Sequence, residues 1–351
     1  MTLELRSEAV RMPFRDPFRI ARAEDFEAAT TVIDSLELDG RVGLGEAYPV
    51  PYYGETVETT AVVQERLVGV LDELGAVPDS LAAARAWLLR STALMSESIG
   101  GHGGAKMGLD IALHDLAGQV LGLPLYELLG TSTDLPPTDY SLGIDDPATV
   151  AERARAVAHF PALKIKVGGP SDIETLEAVR AVFSGPLRVD ANTGWEPESA
   201  VALIPELARL GVELIEQPFR ARQLPQSRWL QERSSLPIML DESAVFEDDL
   251  IPLEGSVAGV VVKLAKCGGV GPALRMIRRA REMGMKVMLG CMMESGLGIA
   301  AGAAVASEVD WLDLDGNLLL AEDPFTGLEL DESCRWRLPG TPGVGVARRQ
   351  A

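Results

Sequence analysis

The chain has 351 residues, of which 47% are hydrophobic and 24% charged, and a formal net charge of −20. That charge excludes phosphate-backbone binding and so nucleic acid as a partner, although acidic clusters can still hold a divalent cation. No uncharged run reaches the roughly 18 residues of a membrane span, and the start MTLELRSEAVRMPFRD has no leader pattern, so a cytoplasmic location is expected.

Residues 1 to about 48 alternate as antiparallel strands, with a hairpin around Asp39-Gly40. Residues 56 to 130 are predicted helical, including the run AKMGLDIALHDLAGQVLG. An N-terminal α+β domain over residues 1–130 is the economical reading. From about residue 137, the runs TDYSLGI, ALKIKV, PLRVDA, VELIEQ, PIMLDE, GVVVKL, KVMLG and DWLDLD alternate with amphipathic segments such as 172–183 and 271–282. Eight strands with intervening helices predict a parallel α/β barrel over residues 131–320. Residues 321–351, with Pro324, Pro339 and Pro342, are too irregular for another unit and are expected to pack back on the first domain.

The polar residues that end these strands recur at one β/α unit. Lys164, Asp190, Glu216, Asp241, Lys263, Gly290 and Asp313 are separated by 26, 26, 25, 22, 27 and 23 residues. Six ionisable groups therefore meet at the C-terminal mouth of the barrel, where such folds carry their chemistry. Asp190, Glu216 and Asp241 would repel one another on adjacent strands unless a hard cation such as Mg²⁺ lay between them. The alternative is that each caps the helix after its strand. Lys164 and Lys166 alternate with apolar residues and share one face; Lys263 leaves a strand across the barrel. An ammonium beside another ammonium and a metal loses its proton more easily and can serve as a base. Lys266 is the less suitable base, lying past the strand beside Gly268 and Gly269. Asp313 and Asp315, two apart, face the same side; a helix cap or solvated turn is their bland alternative. Cys267, Cys291 and Cys334 lack CxxC spacing, and His102, His114 and His159 form no zinc pattern.

ALKIKVG, RVDAN, IEQP, LDES and VVVKLAKCGG, with PFRIAR, GLGEAYP and GLDIALHDLAG earlier, resemble the enolase superfamily in its muconate-lactonizing subgroup over nearly the whole chain. The resemblance implies a modified TIM barrel, (β/α)7β, beneath an N-terminal α+β capping domain whose loops close the site. It implies one Mg²⁺ per subunit on Asp190, Glu216 and Asp241, acid/base roles for Lys166 and Lys263, Lys164 as their electrostatic partner, and a homo-oligomer. Asp313 and Asp315 resemble the pair by which dipeptide epimerases hold a free α-ammonium. Ser141 and Cys291 match substrate-contact positions, and Arg22 resembles a cap-loop arginine that binds a glutamate side chain. Glu24 and Asp25 could instead attract a cationic side chain. The implied activity is a two-base dipeptide epimerase with a small dipeptide substrate, L-Ala-D/L-Glu by default, in peptidoglycan peptide recycling. An N-acylamino acid racemase or an o-succinylbenzoate synthase-type lyase is the alternative on the same scaffold, and a binding protein that kept the fold is the alternative of another class.

Overall fold

The structure, a computed structural model, describes residues 2–350 and, within them, every side chain except those of residues 23–26. Strands β1 (Glu4–Ile20), β2 (Ala23–Leu38) and β3 (Arg41–Ala47) form an antiparallel sheet in that order. The β2–β3 turn places Asp39 and Gly40 at φ 52° and 76°, the positive values that a tight two-residue hairpin of the right twist requires.

Four helices follow: α1 (Val57–Leu71), α2 (Leu81–Ser98), α3 (Gly103–Leu121) and α4 (Leu125–Leu129). Helix α3 is buried on every face from Gly103 to Gly118, as a helix packed on all sides must be. It lies tight against β3. A side chain at Gly45 would put its Cβ 1.9 Å from the Gly108 carbonyl oxygen.

The barrel strands are β4 (Tyr140–Leu142), β5 (Leu163–Lys166), β6 (Leu187–Asp190), β7 (Val212–Glu216), β8 (Ile238–Leu240), β9 (Gly259–Lys263), β10 (Lys286–Gly290) and β11 (Trp311–Asp313). Each is parallel to the next in chain order, and a parallel bridge between Thr138 and Leu312 joins the first to the last. Leu214, Met239, Val261 and Met288, from four consecutive strands, fill the interior and are fully buried. Each contributes roughly 1.5–3 kcal/mol by leaving water.

The outer helices are α5 (Pro147–Ala156), α6 (Asp172–Arg180), α7 (Pro197–Arg209), α8 (Leu224–Gln231), α9 (Leu264–Cys267), α10 (Val270–Glu282) and α11 (Gly296–Ala303). The unit between β8 and β9 departs from the expected pattern. Its connection is a 3-10 turn, Glu247–Leu253, with Pro252 inside it. Proline removes a helical N–H and disfavours an α-helix there, which explains the shortest of the six intervals.

Buried carboxylates tie the N-terminal sheet and helices to the barrel. Glu46 of β3 accepts from Ser295 N at 2.9 Å, Ser295 Oγ at 2.5 Å and Gly298 N at 2.8 Å, at the start of α11. Asp110 of α3 accepts from Val270 N at 2.6 Å and Gly271 N at 3.2 Å, at the start of α10. A carboxylate at a helix N-terminus satisfies its free amides and opposes its dipole. The C-terminal residues run back over α3 and α4: Leu125 N donates to Gly343 O at 2.8 Å, and Val344 N to Asp115 Oδ1 at 2.8 Å.

Candidate active site

Parallel pairing sets the functional groups in register. Lys166 pairs with Asp190 and Asp190 with Glu216, all at strand ends, while Gly290 pairs with both Lys263 and Asp313. Asp241 follows β8 directly. Lys164, Lys166, Asp241 and Lys263 line a cavity of about 670 Å³ at this mouth, together with Ser141, Cys291, Asp313 and Asp315, and Arg22 reaches it from the end of β1. Asp190 and Glu216 do not line it; they are fully buried behind the lysines.

Each lysine meets a carboxylate. Lys166 Nζ lies 2.6 Å from Asp190 Oδ2, and Lys263 Nζ lies 2.9 Å from Asp241 Oδ2. Lys164 Nζ is 3.0 Å from Glu216 Oε2, 3.9 Å from Asp190 Oδ2, and ion-paired with Asp313. These contacts set the charge of the lysines as the side chains alone dictate it. Burial would lower Lys263, but Asp241 and Glu216 outweigh it and hold its ammonium above the ordinary value. Lys164 is raised in the same way by Asp313, Glu216 and Asp190. Carboxylates in direct contact favour the charged amine more than neighbouring ammonium groups disfavour it.

None of the three proposed metal ligands is a helix cap; the helices and turn after them start from Glu196, Gln223 and Phe246. Among the described residues no three acidic, histidine or cysteine side chains close into a ligand cage; the ammonium groups lie between the carboxylates instead. The donor set nevertheless suits a hard divalent cation. Its ligands are all oxygen, and Glu216 Oε1 is buried without a hydrogen-bond partner. Burial and the neighbouring Asp190 push the Glu216 carboxyl up to about 8, a penalty that a cation between them would remove.

Across the mouth, Asp315 Oδ2 accepts from Ser141 N at 2.5 Å, and Asp313 Oδ1 accepts from Ser141 Oγ at 3.2 Å. Burial opposes ionisation of Asp313, but Lys164 holds it at about 2. Burial and Asp313 push Asp315 up to about 7. Asp315 stands at the start of the short turn Gly316–Leu319 without capping it through its side chain. Cys291 Sγ donates to the Asp313 carbonyl at 3.3 Å. Arg22 ion-pairs with Glu242, donates to the Asn192 carbonyl at 3.2 Å, and lies 4.2 Å over the Tyr52 ring. The side chains of Glu24 and Asp25 lie outside the described residues.

Two supporting roles escape the sequence reading, that of Lys266, weighed there only as the less suitable base, and that of Arg188. Lys266 is buried in α9, with Nζ 2.5 Å from Asp241 Oδ1 and donating to the carbonyls of Asp241, Ala244 and Val261 at 2.7, 2.9 and 2.8 Å. It clamps Asp241 rather than facing the cavity. Arg188, on β6, donates to Asp139 Oδ2 at 2.7 Å and Glu213 Oε1 at 2.6 Å. The alternation that pairs Lys164 with Lys166 also sets Arg188 on the face of Asp190, so a signal for Arg188 was present.

Residues 2–130 match the mandelate racemase / muconate lactonizing enzyme N-terminal domain, and residues 148–351 match the enolase C-terminal domain-like family. The chain is 35% identical to an L-Ala-D/L-amino acid epimerase of Maribacter over 97% of both chains. It is 36% identical to an L-Ala-D/L-Glu epimerase of Bacteroides thetaiotaomicron over 89% of this chain and 80% of that one. Among solved structures, a dipeptide epimerase from Cytophaga hutchinsonii, complexed with Mg and D-Ala-L-Val, superposes with TM-score 0.90 at 29% identity, covering 99% of this chain and 96% of that one. With both halves matched and these identities over nearly its full length, the chain belongs to the enolase superfamily, in the mandelate racemase / muconate lactonizing enzyme family.

Proposed function

We propose that the protein is a Mg²⁺-dependent dipeptide epimerase that inverts the α-carbon of the C-terminal residue by two-base 1,1-proton transfer. The observation that carries this reading is the placement of Lys166 and Lys263 four strands apart in an eight-stranded barrel. Opposite positions on the mouth let them address opposite faces of one carbon. Mg²⁺ held by Asp190, Glu216 and Asp241 would neutralise the carboxylates and stabilise negative charge developing on the substrate carboxylate.

One lysine, as the free amine, takes the α-proton; the other, as the ammonium, returns a proton from the opposite side. The net charge of the site is unchanged and the stereocentre is inverted. Lys164, fixed by Glu216 and Asp313, places a permanent positive charge where the carboxylate gains electrons. Asp313 and Asp315 accept the substrate's free ammonium, which fixes its distance from the reacting carbon. Ser141 orients that pair, and Cys291 forms a small wall beside it.

Relatives support this reading: they include an L-Ala-D/L-amino acid epimerase and an L-Ala-D/L-Glu epimerase. The proposal extends to a cytoplasmic homo-oligomer in peptidoglycan peptide recycling, and to a division of labour in which residues 1–130 select side chains, residues 131–320 perform the chemistry and residues 321–351 brace the first against the second. Among the described residues, no helix is long and apolar enough to cross a membrane. The test is incubation with L-Ala-L-Xaa dipeptides in D₂O, followed by mass spectrometry and chiral separation. Deuterium at the C-terminal α-carbon together with the second epimer supports the proposal. Exchange confined to N-acylamino acids, or loss of a β-leaving group, would replace it with the racemase or the lyase.

A further inference from the structure

Asp139 directly precedes β4 and is fully buried behind the cavity that Asp313 and Asp315 line. It lies on the seam where the barrel closes. Its N–H donates to the Leu312 carbonyl of β11 at 3.1 Å, and Arg188 Nη1 donates to that carbonyl at 3.2 Å and to Asp139 Oδ2 at 2.7 Å. The other oxygen, Oδ1, is buried, and among the described residues no N–H or hydroxyl donates to it.

The Asp139 carboxyl is hydrogen-bonded to that of Asp313. Two carboxylates cannot form such a bond, because ionised oxygens only accept, so one of the pair carries a proton. Asp313 faces the Lys164 ammonium, and its Oδ1 accepts from Ser141 Oγ at 3.2 Å; both favour its charged form. Asp139 has only the Arg188 guanidinium, which is already paired with Glu213 at 2.6 Å. The proton therefore belongs on Asp139, at the oxygen that lacks a donor. In keeping with this, burial and the facing Asp313 push the Asp139 carboxyl well above the usual carboxylate range.

We infer that Asp139 is a positioning residue: a neutral carboxylic acid, anchored by Arg188, that donates a hydrogen bond to Asp313 and sets it to receive the substrate's ammonium. This rests on the dipeptide reading and adds the group that fixes one of its two anchors. A protonated carboxyl offers one donor and one acceptor, which matches its two neighbours, Asp313 and Arg188. An ionised Asp139 would instead press a further negative charge against Asp313. Lys164 cannot orient Asp313 alone, because its ammonium is shared with Glu216 at 3.0 Å.

The test compares the wild type, Asp139→Ala and Asp139→Asn. The substrates, in D₂O, are the L-Ala-L-Xaa dipeptide that the wild type exchanges fastest, its N-acetyl derivative, and N-acetyl-L-Leu. Asparagine keeps one donor and one acceptor and so reproduces the neutral acid but not a carboxylate. Asp139→Asn should keep kcat/KM for the free dipeptide within about threefold of the wild type. Asp139→Ala should lose about tenfold or more and narrow the preference over the N-acetyl derivative by a similar factor. A difference infrared spectrum, wild type minus Asp139→Asn at neutral pH, should carry the carbonyl stretch of a protonated carboxyl and no carboxylate stretch. This measurement stands even where Asp139→Ala does not fold. A carboxylate stretch in that spectrum, or an Asp139→Asn variant as impaired as Asp139→Ala, overturns the inference while the dipeptide reading stands. So does an Asp139→Ala variant with full activity and an unchanged preference for the free ammonium. A wild type that exchanges N-acetyl-L-Leu and no dipeptide overturns the dipeptide reading and with it the ammonium role, even where the protonated-carboxyl band is present.

Discussion

Asp110→Ala tests how the N-terminal domain is fastened to the barrel. Asp110 is fully buried on α3, and its Oδ2 accepts two amides at the N-terminus of α10, at 2.6 and 3.2 Å. One turn along, buried His114 places Nδ1 3.4 Å from the same oxygen. Each charge-assisted bond is worth about 1.5–3 kcal/mol, and removing one partner of a buried pair costs about 3–5 kcal/mol. These contributions overlap, so the variant should lose about 3–5 kcal/mol, and Asp110→Asn, which keeps one acceptor oxygen, should lose less.

Linkage gives a second signature. Burial would lower the His114 pKa, but Asp110 outweighs it and raises it above 6.5. The stability contributed by charged His114 is therefore complete below pH 6.5 and disappears as pH rises through the raised folded value. Urea unfolding across pH 5.5 to 9 should show a gap between wild type and Asp110→Ala that is widest at the acidic end. A loss under about 1 kcal/mol, below the range of even one charged hydrogen bond, or a gap that widens with pH, would refute this reasoning.

Chelator should abolish epimerisation and Mg²⁺ should restore it, with Asp241→Asn weakening both metal binding and turnover; full activity in metal-free enzyme would contradict the ligand assignment. Lys266→Met removes the clamp on Asp241 and should weaken Mg²⁺ binding by about tenfold or more while circular dichroism remains native. Asp315→Asn should lower turnover of free dipeptides by about 100-fold and narrow the preference over N-acetylated ones, since a buried charge is left with one partner fewer.

Strand ends were the most legible feature, because a charge that closes an apolar run at a regular interval has one natural place in a parallel barrel. Lys166, Asp190, Glu216 and Lys263 each stand at the last residue of a strand. The connection after Asp241 was less legible: its spacing allowed a helix, and Pro252 prevented one. Partners distant in the chain could not be read. Arg188 finds Asp139 49 residues away, and Arg22 finds Glu242 220 residues away. Periodicity reports which face a residue occupies, not what waits across it. Nor could the contact of Lys263 Nζ with Asp241 be read, which together with the charge of Glu216 holds its ammonium above the ordinary value.

The central claim is that two bases work on opposite faces of one carbon, and single-lysine variants test it most directly. Lys166→Ala and Lys263→Ala, each given both C-terminal epimers of L-Ala-Leu separately in D₂O, should lose net epimerisation. Each should still exchange the α-proton of only one epimer, and the two variants should exchange opposite ones. Near-wild-type epimerisation by either variant, or exchange of the same epimer by both, would contradict the two-base account.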